Sequence, residues 1–231
     1  MTYTFEPPAP VALPVVGQQA NFPARRVYCV GRNYAEHARE MGFTGREPPF
    51  FFLKPADAIV RVGDGATGEM PYPPLTQNLH HEIELVVAIG KGGKNVAAAD
   101  AMGHIFGYAV GLDMTRRDLQ LAQRDAGRPW DIGKGFDHSA PMGPITPAAQ
   151  APGIESAAIW VKVNDRVRQQ SRVSSLIWRI AEIIEHISAA WELRPGDLIM
   201  TGTPEGVGPV AQGDLMVGGI DGLGELRVKV V

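Results

Sequence analysis

Apolar residues along the chain occur mainly in short runs separated by glycine and proline, a pattern typical of strands joined by turns. The clearest run covers 79–89, where β-branched residues dominate before Gly90. A second run covers 105–112 and is followed at once by Asp113. We predict a strand for each run. Further strands or extended segments are predicted at 12–16, 26–30, 48–62, 158–163, 167–171, 198–201 and 225–231.

One segment has the period of a long helix. Residues 176–193 carry apolar side chains at three- and four-residue spacing, which places them on one helix face. These residues are Ile177, Ile180, Ile184, Ile187 and Trp191. Shorter helices are predicted at 33–41, 97–104 and 115–124. Asn33 is a suitable N-cap for the first of them, and 127–144 is predicted to be a loop.

These patterns predict an α+β protein that is predominantly β with a few peripheral helices. The 27 glycines and 19 prolines favour many turns over a helical bundle. The sequence shows no linker and no internal repeat, so we predict a single domain over residues 1–231. Its proline-rich residues 1–24 are expected to form an irregular N-terminal extension.

Charge and cysteine content exclude several classes of protein. Lysine and arginine number 22 against 25 acidic residues, and no basic block occurs, so we expect no nucleic-acid partner. The apolar runs are much shorter than the roughly 20 residues of a membrane helix. The N-terminus does not resemble a signal peptide. Cys29 is the single cysteine, which fits a reducing compartment, and we expect a cytoplasmic protein.

The run at 79–89 contains the strongest chemical signal. Strand side chains alternate between faces, so Glu82 and Glu84 are expected to point the same way. Asp113 ends the other apolar strand, where a third carboxylate can converge with them. Three carboxylates without a nearby cysteine favour Mg²⁺ or Mn²⁺ over Zn²⁺. The pattern alone leaves open a solvent-facing strand edge, and it leaves the roles of His80 and His81 undecided.

Six segments of the chain resemble the fumarylacetoacetate hydrolase family in sequence and in order. They are Val27–Glu40, Pro49–Pro55, Leu79–Ile89, Gly107–Asp118, Lys134–Phe136 and Met200–Gly208. Within the family, the chain length and the stretches PPFFFLKPADA and RPWDIGKGFD are most similar to bacterial acylpyruvate hydrolases of the fumarylpyruvate type. The resemblance implies the family's mixed β-roll with helices packed outside, and a homodimer.

The resemblance also implies a set of metal ligands and a catalytic pair. The family's divalent metal, usually Mg²⁺, is held by residues that match Glu82, Glu84 and Asp113. Its catalytic His–Glu pair matches His37 and Glu40. These two are three residues apart on a predicted helix, so the carboxylate can orient an imidazole that deprotonates water.

Four further residues match polar positions near the metal in the family. Lys134 matches a catalytic lysine, which can stabilise an oxyanion. Arg117, Gln120 and Thr203 match substrate-binding positions, and Arg117 can pair with a substrate carboxylate. The sequence departs from the family pattern in the loops around 44–47 and 63–72, which limits what it implies about the substrate.

The implied activity is hydrolysis of the C3–C4 bond of an acylpyruvate, with fumarylpyruvate of gentisate breakdown as the expected substrate. The products are pyruvate and a carboxylic acid. A fumaryl group brings a second carboxylate, for which Arg32 and Lys54 are the candidate partners. The alternative within the family is a decarboxylase or isomerase of oxaloacetate or a related diketo acid. A serine or cysteine hydrolase is disfavoured, since no G-x-S-x-G motif occurs.

Overall fold

The computed structural model describes residues 2–35 and 46–231, and most of the regular structure in them is β. In chain order the strands are β1 (Ala12–Leu13), β2 (Phe22–Pro23), β3 (Val27–Gly31), β4 (Phe50–Lys54), β5 (Ile59–Arg61), β6 (Thr67–Met70), β7 (Leu79–His81), β8 (Ile83–Ile89), β9 (Ile105–Leu112), β10 (Thr115–Arg116), β11 (Ala140–Met142), β12 (Thr146–Pro147), β13 (Ala158–Val163), β14 (Arg166–Arg172), β15 (Leu198–Met200), β16 (Gly208–Val210), β17 (Leu215–Ile220) and β18 (Gly224–Val230). The α-helices are α1 (Ala98–Ala101), α2 (Arg117–Asp125), α3 (Asp131–Lys134) and α4 (Ile180–Ala190).

The largest sheet has eight strands and is built around β8 and β9. Its order is β4-β3-β15-β8-β9-β11-β5, and β12 also pairs with β9. Every residue of β8 is buried. Leu85 and Val87 join the larger apolar core on one face, and Val86 and Ala88 join a second core on the other. Because both faces of the sheet are covered, β8 is continuously apolar beyond its acidic start.

A five-stranded sheet of order β14-β13-β17-β18-β6 contributes to the larger core. The two sheets approach closely at Gly218 of β17, where an added Cβ would lie 2.5 Å from Cδ1 of Ile83. A three-stranded sheet of order β10-β7-β16 stands beside them. No helix in the described part of the chain is long and apolar enough to cross a membrane.

Residues near the N-terminus cover the second face of the large sheet. Leu13, Val15 and Phe22 are buried in the second core, and β1 pairs with β2. The segment predicted to be an irregular extension is therefore largely irregular in backbone, yet its apolar side chains are packed against the sheet.

The strand predictions are correct where the apolar run is uninterrupted. β9 and β13 have the predicted bounds, and β14 pairs back on β13 through a turn at Asn164 and Asp165. The continuous strand predicted at 79–89 is wrong, because the chain leaves the ladder at Glu82. β7 and β8, on either side of Glu82, belong to different sheets.

The long helix begins later than predicted, at Ile180. The N–H of Ile177 donates to the carbonyl of Asn33 at 2.8 Å, and the N–H of Trp178 donates to Oδ1 of Asn33 at 2.8 Å. These residues are thus held in a non-helical segment that precedes α4. At the start of the helix the N–H of Arg179 donates to Oε2 of Glu182 at 2.9 Å, which pairs one N–H at the helix N-terminus.

The side chain of Asn33, the predicted N-cap, contacts distant segments of the chain. Its Nδ2 donates to the carbonyls of Trp178 and Thr201, at 3.0 and 2.8 Å. The buried side chain therefore links three distant parts of the chain. Most of the helix predicted at 33–41, including His37 and Glu40, lies outside the described residues.

The loop predicted at 127–144 and the helix predicted at 115–124 also need correction. The region 127–144 is not a loop throughout, because it contains α3 and β11. The helix predicted at 115–124 begins at Arg117, since Thr115 and Arg116 pair with β7 in the three-stranded sheet.

Candidate active site

Three buried carboxylates meet where the chain crosses between two sheets. Glu82 separates β7 from β8, Asp113 separates β9 from β10, and Glu84 lies in β8. The N–H of Asp113 donates to the carbonyl of Glu82 at 2.8 Å, which fixes the two crossings side by side. One carboxylate oxygen from each residue lies within 4.8 Å of the others, and all three side chains are buried. The convergence expected from the sequence is present.

Three cations, Lys134, Arg117 and Lys54, lie directly against these carboxylates. Nζ of Lys134 is 2.7 Å from Oε2 of Glu82, 2.7 Å from Oδ2 of Asp113 and 2.8 Å from Oγ1 of Thr115. Burial lowers the pKa of Lys134, but the carboxylates of Asp113 and Glu82 outweigh it and hold the pKa above its ordinary value. The side chain is therefore an ammonium ion. Lys134 is positioned by α3, whose first turn is closed by the carbonyl of Trp130.

Arg117 provides the second cation from the first turn of α2. Its Nη2 pairs with Oε1 of Glu82, and its Nη1 donates to Oε1 of Gln120 at 3.1 Å. The two residues share a helix face, as their spacing predicted, and both are buried. Gly133 lets α3 pack closely against α2, since a Cβ at Gly133 would lie 2.8 Å from the backbone of Gln120.

Lys54 lies behind the carboxylates of the cluster. It cannot be the partner of a second substrate carboxylate that the sequence analysis suggested. Its side chain has no exposed surface. Nζ donates to the carbonyls of Met114 and Lys134, and it lies 2.8 Å from Oδ1 of Asp113 as an ion pair. Lys54 therefore joins β4 to the segments that carry Asp113 and Lys134.

The three carboxylates fit an oxygen-ligated divalent cation. Oδ1 of Asp113 is buried, and its contact with the described residues is the ion pair with Nζ of Lys54 at 2.8 Å. Burial raises the pKa of Glu84 well above its usual range, and the charges of Asp113 and Glu82 raise it further. A cation between the carboxylates removes both penalties, and a set of oxygen ligands suits Mg²⁺ or Mn²⁺.

Glu84 is held by a backbone group of a distant loop. The N–H of Gly202 donates to Oε2 of Glu84 at 2.7 Å. Gly202 has φ +102, and an added Cβ would lie 2.7 Å from Cβ of Asn33. The position therefore requires glycine on two counts.

We expect Gly202→Ala to lower the free energy of unfolding by about 2 kcal/mol or more, through backbone strain and the clash with Asn33. It should also weaken metal binding, because the donor to Glu84 is displaced. Urea denaturation and metal titration measure the two effects. Gly213→Ala is the matched control, because Gly213 has φ +94 but no atom near an added Cβ. Equal decreases in the free energy of unfolding of the two variants would show that the contact with Asn33 does not contribute.

Thr203 lies at the carboxylates, but its hydroxyl is already engaged. Oγ1 donates to the carbonyl of Ile83 at 2.9 Å and accepts from Nε2 of Gln169 at 2.8 Å. The hydroxyl proton is thus unavailable to a substrate in this arrangement. Gln169, which the sequence analysis missed, is the buried polar residue of the largely exposed strand β14. It also accepts hydrogen bonds from His81 and from the N–H of Ile83.

The adjacent histidines are both uncharged near neutral pH. The pKa of His80 is lowered to about 4, first by burial and then by the charge of Arg117. Burial also lowers the pKa of His81, against its hydrogen bond to Gln169. Each ring has its own partner, since His80 shares a hydrogen bond with Asn78 at 2.9 Å.

The lowered pKa of His80 predicts a loss of stability in acid. An unfolded histidine titrates near pH 6.5, so the folded protein binds fewer protons between that value and about 4. The contribution of His80 is complete above pH 6.5 and is lost as the pH falls toward 4. We expect His80→Gln to show a shallower decline in urea midpoint between pH 7 and 4.5, measured in EDTA. The urea midpoint of His138→Gln, a change at an exposed histidine, should decline like that of wild type. Parallel curves for all three proteins would refute the assignment.

A cleft opens over the carboxylates. Besides Glu82, Glu84 and Asp113, its lining includes Lys134, Arg117, Gln120 and Thr203. Arg32, Phe52 and Trp130 form its outer part. We call this the carboxylate cleft. Seven of the nine residues chosen from the sequence therefore lie in one cleft, while His37 and Glu40 lie outside the described residues.

Comparison with known proteins identifies the family. The family model described as fumarylacetoacetate (FAA) hydrolase C-terminal matches residues 26–231. The chain belongs to the fumarylacetoacetate hydrolase family. It is an enzyme of that family, and its mostly β architecture with few helices is the family's fold, as the sequence predicted.

Solved and curated relatives extend the comparison. The crystal structure of fumarylpyruvate hydrolase from Pseudomonas aeruginosa in complex with Mn²⁺ and pyruvate is 59% identical, covers 100% of this chain and 99% of that one, and has a TM-score of 0.98. A fumarylpyruvate hydrolase of Ralstonia sp is 48% identical over 80% of this chain and 93% of its own length. The mitochondrial oxaloacetate tautomerase FAHD1 of Mus musculus is 42% identical over 89% and 91%. The family thus includes relatives with two named activities.

Proposed function

We propose that the protein is a divalent-metal-dependent hydrolase that cleaves the C3–C4 bond of an acylpyruvate, with fumarylpyruvate as the expected substrate. The observation that carries the proposal is the cluster of Glu82, Glu84 and Asp113, buried against Lys134 and Arg117. The similarity to fumarylpyruvate hydrolases, over nearly the whole length in the Pseudomonas aeruginosa structure, supports this substrate class.

Glu82, Glu84 and Asp113 are the residues that would hold Mg²⁺ or Mn²⁺. Such an ion supplies a Lewis acid for the oxygens of a 2-oxo acid. Arg117 offers a planar fork that suits the substrate carboxylate. Nε2 of Gln120 has no protein partner among the described residues, so it can donate to a substrate oxygen.

The remaining steps need a base that activates water and a cation that stabilises an oxyanion. His37, oriented by Glu40, removes a proton from water, and the oxygen attacks C4 of the acylpyruvate. The ammonium of Lys134, whose three protons are donated to Glu82, Asp113 and Thr115 in this structure, stabilises through its positive charge the negative charge that develops on the C4 oxygen. The C3–C4 bond then breaks with its electron pair forming the enolate of pyruvate, and the acyl group leaves as a carboxylic acid. Protonation of the enolate at C3 completes the addition of one water molecule.

The experiment is a comparison of three substrates with purified protein. Enol absorbance and pyruvate release are followed with fumarylpyruvate, acetylpyruvate and oxaloacetate, in Mg²⁺, in Mn²⁺ and in EDTA. We expect both acylpyruvates to be consumed with equimolar pyruvate release and EDTA to stop the reaction. Absence of acylpyruvate cleavage under every metal condition would overturn the proposal.

A second candidate is tautomerisation or decarboxylation of oxaloacetate. Relatives named oxaloacetate tautomerase, at 42% identity in Mus musculus and 40% in Arabidopsis thaliana, favour it. This chemistry needs the same enolate stabilisation but no attack of water at a distal carbonyl. Turnover of oxaloacetate without cleavage of either acylpyruvate would select this candidate and leave the proposed role of His37 without support.

A further inference from the structure

A larger cavity lies beside the carboxylate cleft. The space directly over the carboxylates is about 30 Å³, about the share of one molecule in liquid water. The neighbouring cavity measures about 440 Å³, and Arg32, Phe52 and Trp130 line both spaces. We call this larger space the aromatic cavity. Among the described residues, these three lie where the two spaces adjoin, so a substrate held at the carboxylates can extend past them into the aromatic cavity.

The walls of the aromatic cavity are flat and mutually supported. The ring of Phe50 meets that of Trp130 edge-on, with centroids 5.2 Å apart, and Phe52 packs on the same indole at 6.0 Å. Phe50 is fixed further by Gly31, because a Cβ at that glycine would collide with the phenyl ring. Rings held in this way favour a planar, conjugated chain that can stack against them.

Arg32 is the one cation among the described residues that line the aromatic cavity, and Asp131 is the one anion. Cζ of Arg32 lies 4.8 Å above the centre of the Phe50 ring. A guanidinium stacked on a ring directs its N–H groups sideways, in the plane of the fork, where a carboxylate can accept two of them. Arg32 also has φ 53, a left-handed conformation that is unfavourable for arginine and that tends to persist at functional positions.

We propose that the aromatic cavity binds the acyl arm of the substrate and that Arg32 pairs with a carboxylate at the end of that arm. Lys54, the other cation considered, is committed to Asp113 and to two backbone carbonyls behind the cluster. The preferred substrates are then acylpyruvates with a planar, unsaturated acyl group that ends in a carboxylate. The inference rests on the proposed hydrolase function and concerns its specificity.

The test compares kcat/KM for fumarylpyruvate and for acetylpyruvate, whose arm is short and uncharged. In Arg32→Met we expect the ratio of the two values to fall by about a hundredfold, because one carboxylate loses its charged partner. Arg32→Lys should recover part of the ratio. Phe50→Val, which removes the face beneath the guanidinium, should lower the ratio by about tenfold. Arg172→Met, at an exposed arginine of β14, is the matched control and should keep the ratio of wild type.

Product inhibition provides a second readout that does not depend on the substrate ratio. Fumarate should inhibit acetylpyruvate cleavage by the wild type, and the inhibition constant should rise by about tenfold or more in Arg32→Met. If Arg32→Met lowers both kcat/KM values equally and leaves fumarate inhibition unchanged, the specificity role of Arg32 is wrong while the hydrolase proposal stands. If wild type cleaves neither acylpyruvate, the hydrolase proposal itself fails.

Discussion

Replacing Asp113 with alanine is expected to abolish tight binding of Mg²⁺ or Mn²⁺ and to lower turnover by about a thousandfold or more. Asp113 contributes one of the three converging carboxylates, and its two oxygens lie 2.8 and 2.7 Å from the ammonium groups of Lys54 and Lys134. Loss of the side chain also leaves the ammonium groups of Lys54 and Lys134 without a shared carboxylate. Isothermal titration with each metal measures the first effect, and the acylpyruvate assay measures the second.

An isosteric variant separates loss of the ligand from loss of folding. Asp113→Asn keeps the size of the side chain and an oxygen that can face the lysines, but it removes the charge that a divalent ion needs. We expect it to fold, with a circular dichroism spectrum like wild type, and to bind metal at least about tenfold more weakly. Asp125→Ala, at an exposed carboxylate that pairs with Arg124, should bind metal normally. Unchanged metal affinity in Asp113→Asn would refute the ligand assignment.

The second large effect is expected for His37→Ala. If His37 takes the proton from water, its removal should lower kcat by about a hundredfold or more while metal affinity remains that of wild type. The acylpyruvate assay at saturating metal gives kcat, and titration calorimetry gives the affinity. Glu40→Gln should lower kcat less, because the imidazole remains but loses the carboxylate that orients it.

The exposed His138→Ala is the control for loss of a histidine. The pH profile of kcat also distinguishes the base from a structural residue, since the limb that reports its protonation should disappear in His37→Ala. A variant that keeps normal turnover would exclude His37 as the base and would leave the assignment of the metal ligands untouched.

The convergence of the three carboxylates was predictable from the sequence because it depends on local pattern. Strand alternation predicted Glu82 and Glu84 on one side, and the two carboxylates do converge although Glu82 lies between β7 and β8. The end of an uninterrupted apolar run marks Asp113. β8 and β9 then pair as neighbours, so their ends meet. The break at Glu82 was not predictable, because no glycine or proline interrupts 79–89 at the residue where the chain changes sheets.

The supports of the site come from residues far away in sequence. Gly202 donates to Glu84 across 118 positions, and Gln169 reaches Thr203 across 34. No periodicity marks such contacts, and Gln169 lies on a strand whose other residues are mostly exposed polar groups. Helix α3 was missed for a different reason: four residues that include Gly133 are too few to display a helical period.

Asn33 has tertiary contacts that its local sequence does not indicate. Its position before good helix formers predicted a cap, and most of the helix that it would cap lies outside the described residues. Its amide donates to the carbonyls of Trp178 and Thr201, the second of them buried and costly to leave unpaired. Asn33 also accepts from the N–H groups of Ile177 and Trp178, which lie outside α4, so the helix starts later than its apolar period predicted.

The crossings at Glu82 and Asp113 have a mechanical consequence. At both points the chain passes between the eight-stranded and the three-stranded sheet, so the carboxylates lie on the seam between two ladders that share no strand. An ion bound there would contact residues at the junction of the two sheets. Its binding free energy would then be added to the free energy needed to separate the sheets. Amide hydrogens of β7 and β10 should then exchange more slowly as the metal concentration rises. Their exchange rates would therefore report how much of the site is occupied by metal, without any substrate.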